Sequence, residues 1–253
     1  IDIFFLGGKM KKSYVALSAD VLHPGHYNII NKARELGEVV VGVLTDKAIS
    51  EYIYLLNEYI SLHRIEDSKL TTSILNNIGW AYLFYNQDQS IENSIKFSGL
   101  SLENANKVGL SHIASMSLNN LGIAWEKKKD NDRALDYYQE SLGITEREQH
   151  QKSLGHRLVA GMSRQNRGNV FFEKGEFERA KEEYNLALYH YQYAKSDHYV
   201  NQIIMLYGQL LLKQKDIDKA LIAFQKTITY WQARKEHSKH TNTLLSNISD
   251  NLL

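Results

Sequence analysis

The sequence predicts a chain of mixed class, a short α/β segment followed by a longer all-α array, and three observations carry that reading. Between Tyr14 and Thr45, two apolar runs of strand length flank a stretch of helical period. Beyond about Lys47 only helical periods recur, separated by short polar turns, and several share the same small and aromatic residues at the same spacing. The 253 residues contain one proline, Pro24, so nothing downstream of it interrupts a helix by ring closure.

The first nine residues, Ile1 to Lys9, precede Met10-Lys-Lys-Ser, which reads as a translation start, and are expected to be leader or read-through sequence. Residues 10–50 form the α/β segment. Tyr14-Val-Ala-Leu17 is the first strand, Ser18 to Leu22 a loop, and His23-Pro-Gly-His26 opens a helix over Tyr27 to Leu36. Ile29, Ile30, Ala33 and Leu36 share one face of that helix, and Gly37 suits its C-cap. Val39-Val-Val-Gly-Val-Leu44 is a β-branched run of the kind buried on both faces in parallel sheets. Strand, helix and strand make one βαβ unit.

Residues 51–237 form the helical array. Gly79-Trp-Ala-Tyr82, Gly122-Ile-Ala-Trp125, Gly168-Asn-Val-Phe171 and Gly208-Gln-Leu-Leu211 share a glycine pattern. Twelve residues after the last three glycines stand Ala134, Ala180 and Ala220, and four further on Tyr138, Tyr184 and Phe224. In the first unit Ile91 and Ile95 are expected in those places. Asp130 to Ala134, Gly175 to Ala180 and Lys215 to Ala220 span the turns within each unit. This register resembles the tetratricopeptide repeat, in which small residues let helix A and helix B of a unit pack closely while an aromatic fills the adjoining gap. The resemblance implies a solenoid of helical hairpins with long B helices, as in the kinesin light chain type. Residues 238–253 are expected to be a capping helix or tail.

Helix A residues one turn before and just after each glycine are candidates for a peptide-binding face: Asn76, Trp80, Asn119, Ile123, Gln165 and Asn169. Amides there suit hydrogen bonds to an extended backbone, and solvated helix-face amides are the alternative. A lysine clamp for a terminal carboxylate is not expected, since Asn76, Asn119, Gln165 and Met205 occupy the lysine place of the chaperone-binding subgroup.

His23-Pro24-Gly25-His26 carries the chemistry of the N-terminal segment. A helix N-terminus offers unpaired N–H groups, two imidazoles add directed donors, and Gly25 admits a phosphate close to the backbone. With Tyr14 to Ile30 and Leu36 to Ser50 around it, this motif resembles the start of the HxGH nucleotidyltransferases, and most closely the cytidylyltransferases associated with phosphoenolpyruvate mutase. The fold class so implied for residues 10–50 is a partial nucleotidyltransferase Rossmann-like fragment. The implied activity is CTP-dependent transfer of CMP to a phosphate or phosphonate acceptor, with Mg²⁺ and release of pyrophosphate. By position in the motif, His23 and His26 would be catalytic, stabilising charge on the α-phosphoryl and pyrophosphate groups. Ser18, Asp20, Gly25 and Asp46 would bind the nucleotide, Asp46 at the C-terminal end of the second strand. The later strands and the Ile-Ser-Ser-Thr-x-x-Arg motif of that family have no counterpart here.

Composition narrows the remaining classes. No Cys means no disulfide framework, thiolate metal site or cysteine nucleophile. Thirty Lys and Arg against 29 Asp and Glu give a net charge of +1, so no bulk field favours nucleic acid or anionic lipid. No apolar run is long enough for a membrane span, and a cytoplasmic setting is expected. The partners expected are a nucleoside triphosphate at the N-terminal motif and a protein or peptide on the repeats. The functional expectation is a nucleotidyltransferase-like fragment fused to a repeat scaffold, with catalysis possible or lost; the alternative is a non-catalytic tetratricopeptide repeat interaction protein with a remnant N-terminus.

Overall fold

A computed structural model describes residues 4–6, 12–17, 38–43, 54, 69–85, 89–147 and 153–233. They fall into two compact units, Ile1–Tyr54 with Gln225–Leu253, and Leu55–Phe224.

In the first unit, β1 (Phe4–Leu6), β2 (Lys12–Leu17) and β3 (Glu38–Val43) form a sheet of order β1-β2-β3. β1 runs antiparallel to β2, pairing Phe4 with Tyr14, and β2 runs parallel to β3, pairing Lys12 with Glu38 and Leu17 with Val43. Residues expected to be leader therefore supply a strand.

The second unit holds the bulk of the described chain as helical hairpins: α1 (Lys69–Tyr82), α2 (Ser90–Lys107), α3 (Ser111–Lys127), α4 (Asn131–Thr145), α5 (Leu154–Glu173), α6 (Phe177–Tyr193), α7 (Asp197–Lys213) and α8 (Ile217–Ala233), whose first half belongs here. Odd-numbered helices are the A helices and even-numbered ones the B helices. The mixed class with a Rossmann-like transferase fragment is thereby corrected to a helical repeat architecture. Three strands of at most six residues, one of them antiparallel, do not make a doubly wound domain, whose parallel strands are buried between helical layers.

The hairpins are locked by glycine against a ring. A methyl group on Gly122, Gly168 or Gly208 would overlap the ring of Tyr138, Tyr184 or Phe224 respectively, and these three rings are fully buried. The alanines Ala134, Ala180 and Ala220 are fully buried as well. Within the third hairpin Gly161 makes the same close approach to Tyr191.

The first hairpin solves the same problem differently. Ser94 and Ser98, fifteen and nineteen residues after Gly79, hold the places expected for Ile91 and Ile95, which are only half-buried. The α1–α2 turn runs seven residues against three in its counterparts, and the residues of α2 that face the glycine stand three places later. Ser94 Oγ donates to the Gly79 carbonyl at 2.7 Å, and Ser101 Oγ to the Thr72 carbonyl at 2.9 Å. With Ser90, these serines form a fully buried small-residue face that brings the two backbones together.

One turn geometry joins most successive helices. The N–H groups of Leu110, Asp130, Glu176, Ser196 and Asp216 donate to carbonyls five residues back at 2.8–3.0 Å, the 6→1 bond of a Schellman stop. The residue before each lies at positive φ: Gly109, Lys129, Gly175, Lys195 and Lys215. Two of the five are the glycines that this conformation favours, and three are lysines held in it.

Candidate functional site

The polar residues of the A helices divide into two sets. Successive positions on a helix are turned by about 100°, so the residue after each glycine lies a quarter-turn away from the ring its glycine touches. Trp80, Ile123, Asn169 and Gln209 occupy that row, and Ser73, Met116, Met162 and Gln202, seven residues earlier, share the same face. All eight are half-buried, and none carries a formal charge. They form one partly exposed row along the A helices.

In the first two units the residue three before the glycine turns toward the next A helix. Asn76 and Asn119 are buried, 3% and 6% exposed. Asn76 Oδ1 accepts from Ser117 Oγ at 3.1 Å and Asn120 Nδ2 at 3.2 Å. One repeat on, Asn119 Oδ1 accepts from Ser163 Oγ at 3.3 Å and Asn166 Nδ2 at 3.1 Å. Ser117 Oγ also lies 2.9 Å from Ser101 Oγ, and Ser163 Oγ 2.9 Å from Ser141 Oγ, so each shares its one hydroxyl proton between two acceptors. Asn76 and Asn119 thus belong to a ladder that ties the A helices together, and their oxygens face inward. In this they differ from the open-face role expected for them.

Gln165 and Asn169, the third-repeat members of the expected set, are half-buried and bonded to α6. Asn169 Oδ1 accepts from the Tyr184 hydroxyl at 3.0 Å and Gln165 Oε1 from the Tyr191 hydroxyl at 3.1 Å. Burial pushes both phenols upward in pKa, so they remain donors. At the first-repeat end of the row, the rings of Trp80 and exposed Phe84 pack at 4.8 Å between centroids.

A charged cluster escaped the sequence reading. Arg164 on α5 holds both Glu146 oxygens at 2.9 Å, just past α4, and reaches Glu183 on α6 at 3.2 Å. Arg167 pairs with Glu183 at 3.0 Å and with Gln139. His190 Nε2 lies 3.2 Å from Glu146 Oε1, and its Nδ1 lies 3.2 Å from Arg157 Nη1. Burial would raise the Glu146 carboxyl, but the contacts with His190 and Arg164 outweigh it and hold the carboxyl below its ordinary value. The signal in the sequence is spacing: Arg157 with Arg164, and Glu183 with His190, each seven apart on one helix face. This cluster joins two B helices across α5, and its groups are mutually engaged.

Ser18, Asp20, His23, Gly25, His26 and Asp46 lie outside the described residues. Among the described residues no group of three His, Asp or Glu could hold a metal ion, and no helix is long and apolar enough to cross a membrane.

Two family models match, both tetratricopeptide repeats, over residues 115–148 and 163–189. No curated protein matches the chain. Solved structures with a similar fold include BtubC (BKLC) from P. vanneervenii, 14% identical with a TM-score of 0.61, covering 81% of each chain. RapI in its apo form is 17% identical with a TM-score of 0.60, covering 81% of this chain and 76% of its own. NprR in complex with its cognate peptide NprX is 17% identical with a TM-score of 0.64, covering 79% of this chain and 55% of its own.

Proposed function

We propose that this chain, built of tetratricopeptide repeats, is a non-catalytic scaffold that holds a peptide segment of a partner on the partly exposed face of its A helices. The observation that carries this reading is the row Trp80, Ile123, Asn169 and Gln209, half-buried, uncharged and aligned across four successive A helices. Stacked repeats present extended binding surfaces without chemistry of their own. The fold likeness to NprR, whose solved complex contains a peptide, supports a peptide as the class of partner. The face combines apolar side chains at its first repeats with amides at its later ones, which suits an extended segment with apolar side chains and an uncharged backbone to be paired.

The test is selection of binders from a displayed library of unmodified peptides against the full chain, followed by titration with a selected peptide. Arginine at Ile123 or Asn169 obstructs the face and is expected to abolish binding. Arginine at Leu186, exposed on α6, is expected to leave it intact. Binding that survives both A-face arginines and is lost with Leu186→Arg overturns the reading.

A nucleotide partner, CTP with Mg²⁺, is a separate proposal that rests on His23-Pro24-Gly25-His26 and the sequence around it. Calorimetric titration of the full chain with Mg²⁺-CTP tests it, with His26→Ala as the control. Heat that the variant loses supports it, and no heat from the unaltered chain removes it.

A further inference from the structure

We infer that the outward stripe of α6, formed by Glu182, Leu186, Tyr189 and Tyr193, pairs with the same stripe of a second copy of this chain about a two-fold axis. The stripe lies on a B helix, so the pairing stands apart from the peptide-binding row of the A helices.

Helical spacing makes the stripe. At about 100° per residue, Glu182, Leu186, Tyr189 and Tyr193 fall within an arc of about 60° on α6, while Ala180, Tyr184, Ala187 and Tyr191 hold the buried arc. Leu186, Tyr189 and Tyr193 are 41%, 54% and 42% exposed, and Leu154 in the first turn of α5 is 56% exposed. Arg157, one turn after Leu154, joins the two helices. Its guanidinium carbon lies 5.3 Å from the centre of the Tyr189 ring and 4.5 Å from that of Tyr193. The arginine itself is 8% exposed, so it supports both rings from the buried side. Rings held in this way give up little freedom on contact, and tyrosine is among the residue types that carry most of the energy of an interface.

The stripe belongs to one hairpin. In α4 the places of Leu186, Tyr189 and Tyr193 are taken by Glu140, Gly143 and Arg147, and in α8 by Lys226, Thr229 and Ala233. Those are the polar and small residues of a solvated outer face. Anything that packing within a repeat demands would recur in each unit, and this stripe does not. A contiguous apolar surface without a role in the fold marks a contact with another molecule.

Charge names the occupant. Glu178 and Glu182 make the N-terminal end of the stripe acidic, with Arg179 of that turn paired to Glu176. At the other end Arg157 underlies Tyr193 and Lys195 follows it, only partly offset by Asp197 at the start of α7. A stripe that is acidic at one end, basic at the other and apolar between them matches a copy of itself when the two run antiparallel. A two-fold axis midway between Leu186 and Tyr189 sets Leu186 against Tyr189 of the second copy. It also sets Glu182 against Tyr193 of the second copy with the Arg157 beneath it. Each contact is then made twice, the isologous form of a closed dimer.

The test is sedimentation equilibrium of the full chain over a range of concentrations, with a reversible dimer as the expected result. Leu186→Arg enters a two-fold interface twice and is expected to weaken pairing by about a hundredfold. Glu182→Lys is expected to weaken it by about tenfold at low salt and by less at high salt, where the charges are screened. The chain has no cysteine, so Leu186→Cys introduces a single thiol that a short bismaleimide should trap as a covalent dimer. Glu140→Cys, at the same place on α4, should stay untrapped. All three substituted residues are exposed, and the circular dichroism spectrum is expected to be unchanged. A chain that remains monomeric at every concentration overturns the inference and leaves the stripe to a different protein. A dimer that Leu186→Arg or Glu182→Lys leaves equally tight overturns it too, as does trapping through Glu140→Cys in place of Leu186→Cys.

Discussion

Asn120 of α3 donates through Nδ2 to both the side-chain and main-chain oxygens of Asn76 of α1, at 3.2 and 3.4 Å, inside an interface that excludes water from both residues. Removing one partner strands the others, because a buried polar group left unpaired costs its full desolvation. Asn76→Ala is expected to destabilise the repeat unit by about 1–3 kcal/mol in urea titration. A double-mutant cycle with Asn120→Ala should give a coupling of about 0.5–3 kcal/mol. Strict additivity would show the ladder to be incidental.

Gly168 and Tyr184 occupy one space. Gly168→Ala places a methyl within the ring, and the expected cost is about 1–3 kcal/mol, read as a lowered thermal midpoint. Because the clash is with a side chain, Tyr184→Leu in the same protein should recover part of the loss. If the pair of substitutions is no better than Gly168→Ala alone, the ring is not what the glycine accommodates.

Arg164 binds two carboxylates, Glu146 and Glu183, from a site 16% exposed. Arg164→Ala leaves Glu183 with Arg167 alone and Glu146 with His190, and about 3 kcal/mol of destabilisation is expected. The Glu146 carboxyl is held below its unfolded value, so its stabilisation is present above the usual carboxylate range and is lost as pH falls through the depressed folded value. Arg164→Ala should therefore flatten the acid limb of stability against pH between about 5 and 3.

His112 acts in the same direction in a higher window. Burial holds its imidazole below the usual histidine value, its ring packs edge-on to His156 at 5.2 Å, and its Nδ1 has no partner. The unfolded chain takes up a proton near pH 6.5 and the folded chain only lower, so stability is full above that pH and declines as pH drops beneath it. Thermal midpoints at pH 7.5 and 5.5 should differ by less in His112→Phe than in the unaltered chain. An unchanged difference would assign the effect elsewhere.

Lys129 and Lys215 hold positive φ where Gly109 and Gly175 do so without strain. Lys129→Gly is expected to stabilise the fold by a few tenths to about 1 kcal/mol, measured by urea denaturation, despite the extra freedom glycine brings to the unfolded chain. A net loss would mean that unfolded-state entropy outweighs the relief of strain.

Much of the array was legible in the sequence because its constraint is local. Gly122 with Ala134 and Tyr138, and the equivalent sets in the next two units, recur because each small residue answers a specific ring. The first unit was misread, since a longer turn moves α2 by three residues and serine rather than isoleucine faces Gly79. Asn76 and Asn119 were correctly placed on A helices yet assigned to the wrong side, because an amide is equally at home facing a peptide or a neighbouring helix. Only the 40° between the position three before the glycine and the one just after it separates those outcomes. The partial transferase domain was inferred from a short motif and two strand-like runs. Local patterns of that length imply strands without specifying the fold that would enclose them.

The Asn–Ser–Asn bonds between α1 and α3 and between α3 and α5 use the same residue types in the same roles. The second repeat accepts what the third donates, and the first accepts what the second donates, so these bonds are interchangeable. A further copy of residues 108–153 inserted before Leu154 would present Ser117 and Asn120 to the preceding Asn119, and its own Asn119 to Ser163 and Asn166. Tandem duplication of that one segment would therefore carry the ladder across both new junctions, while the first copy of Glu146 would meet Leu118 and Ile144 where Arg164 and His190 now stand, so the ladder supplies a chemical grammar for growth that the charged cluster does not share.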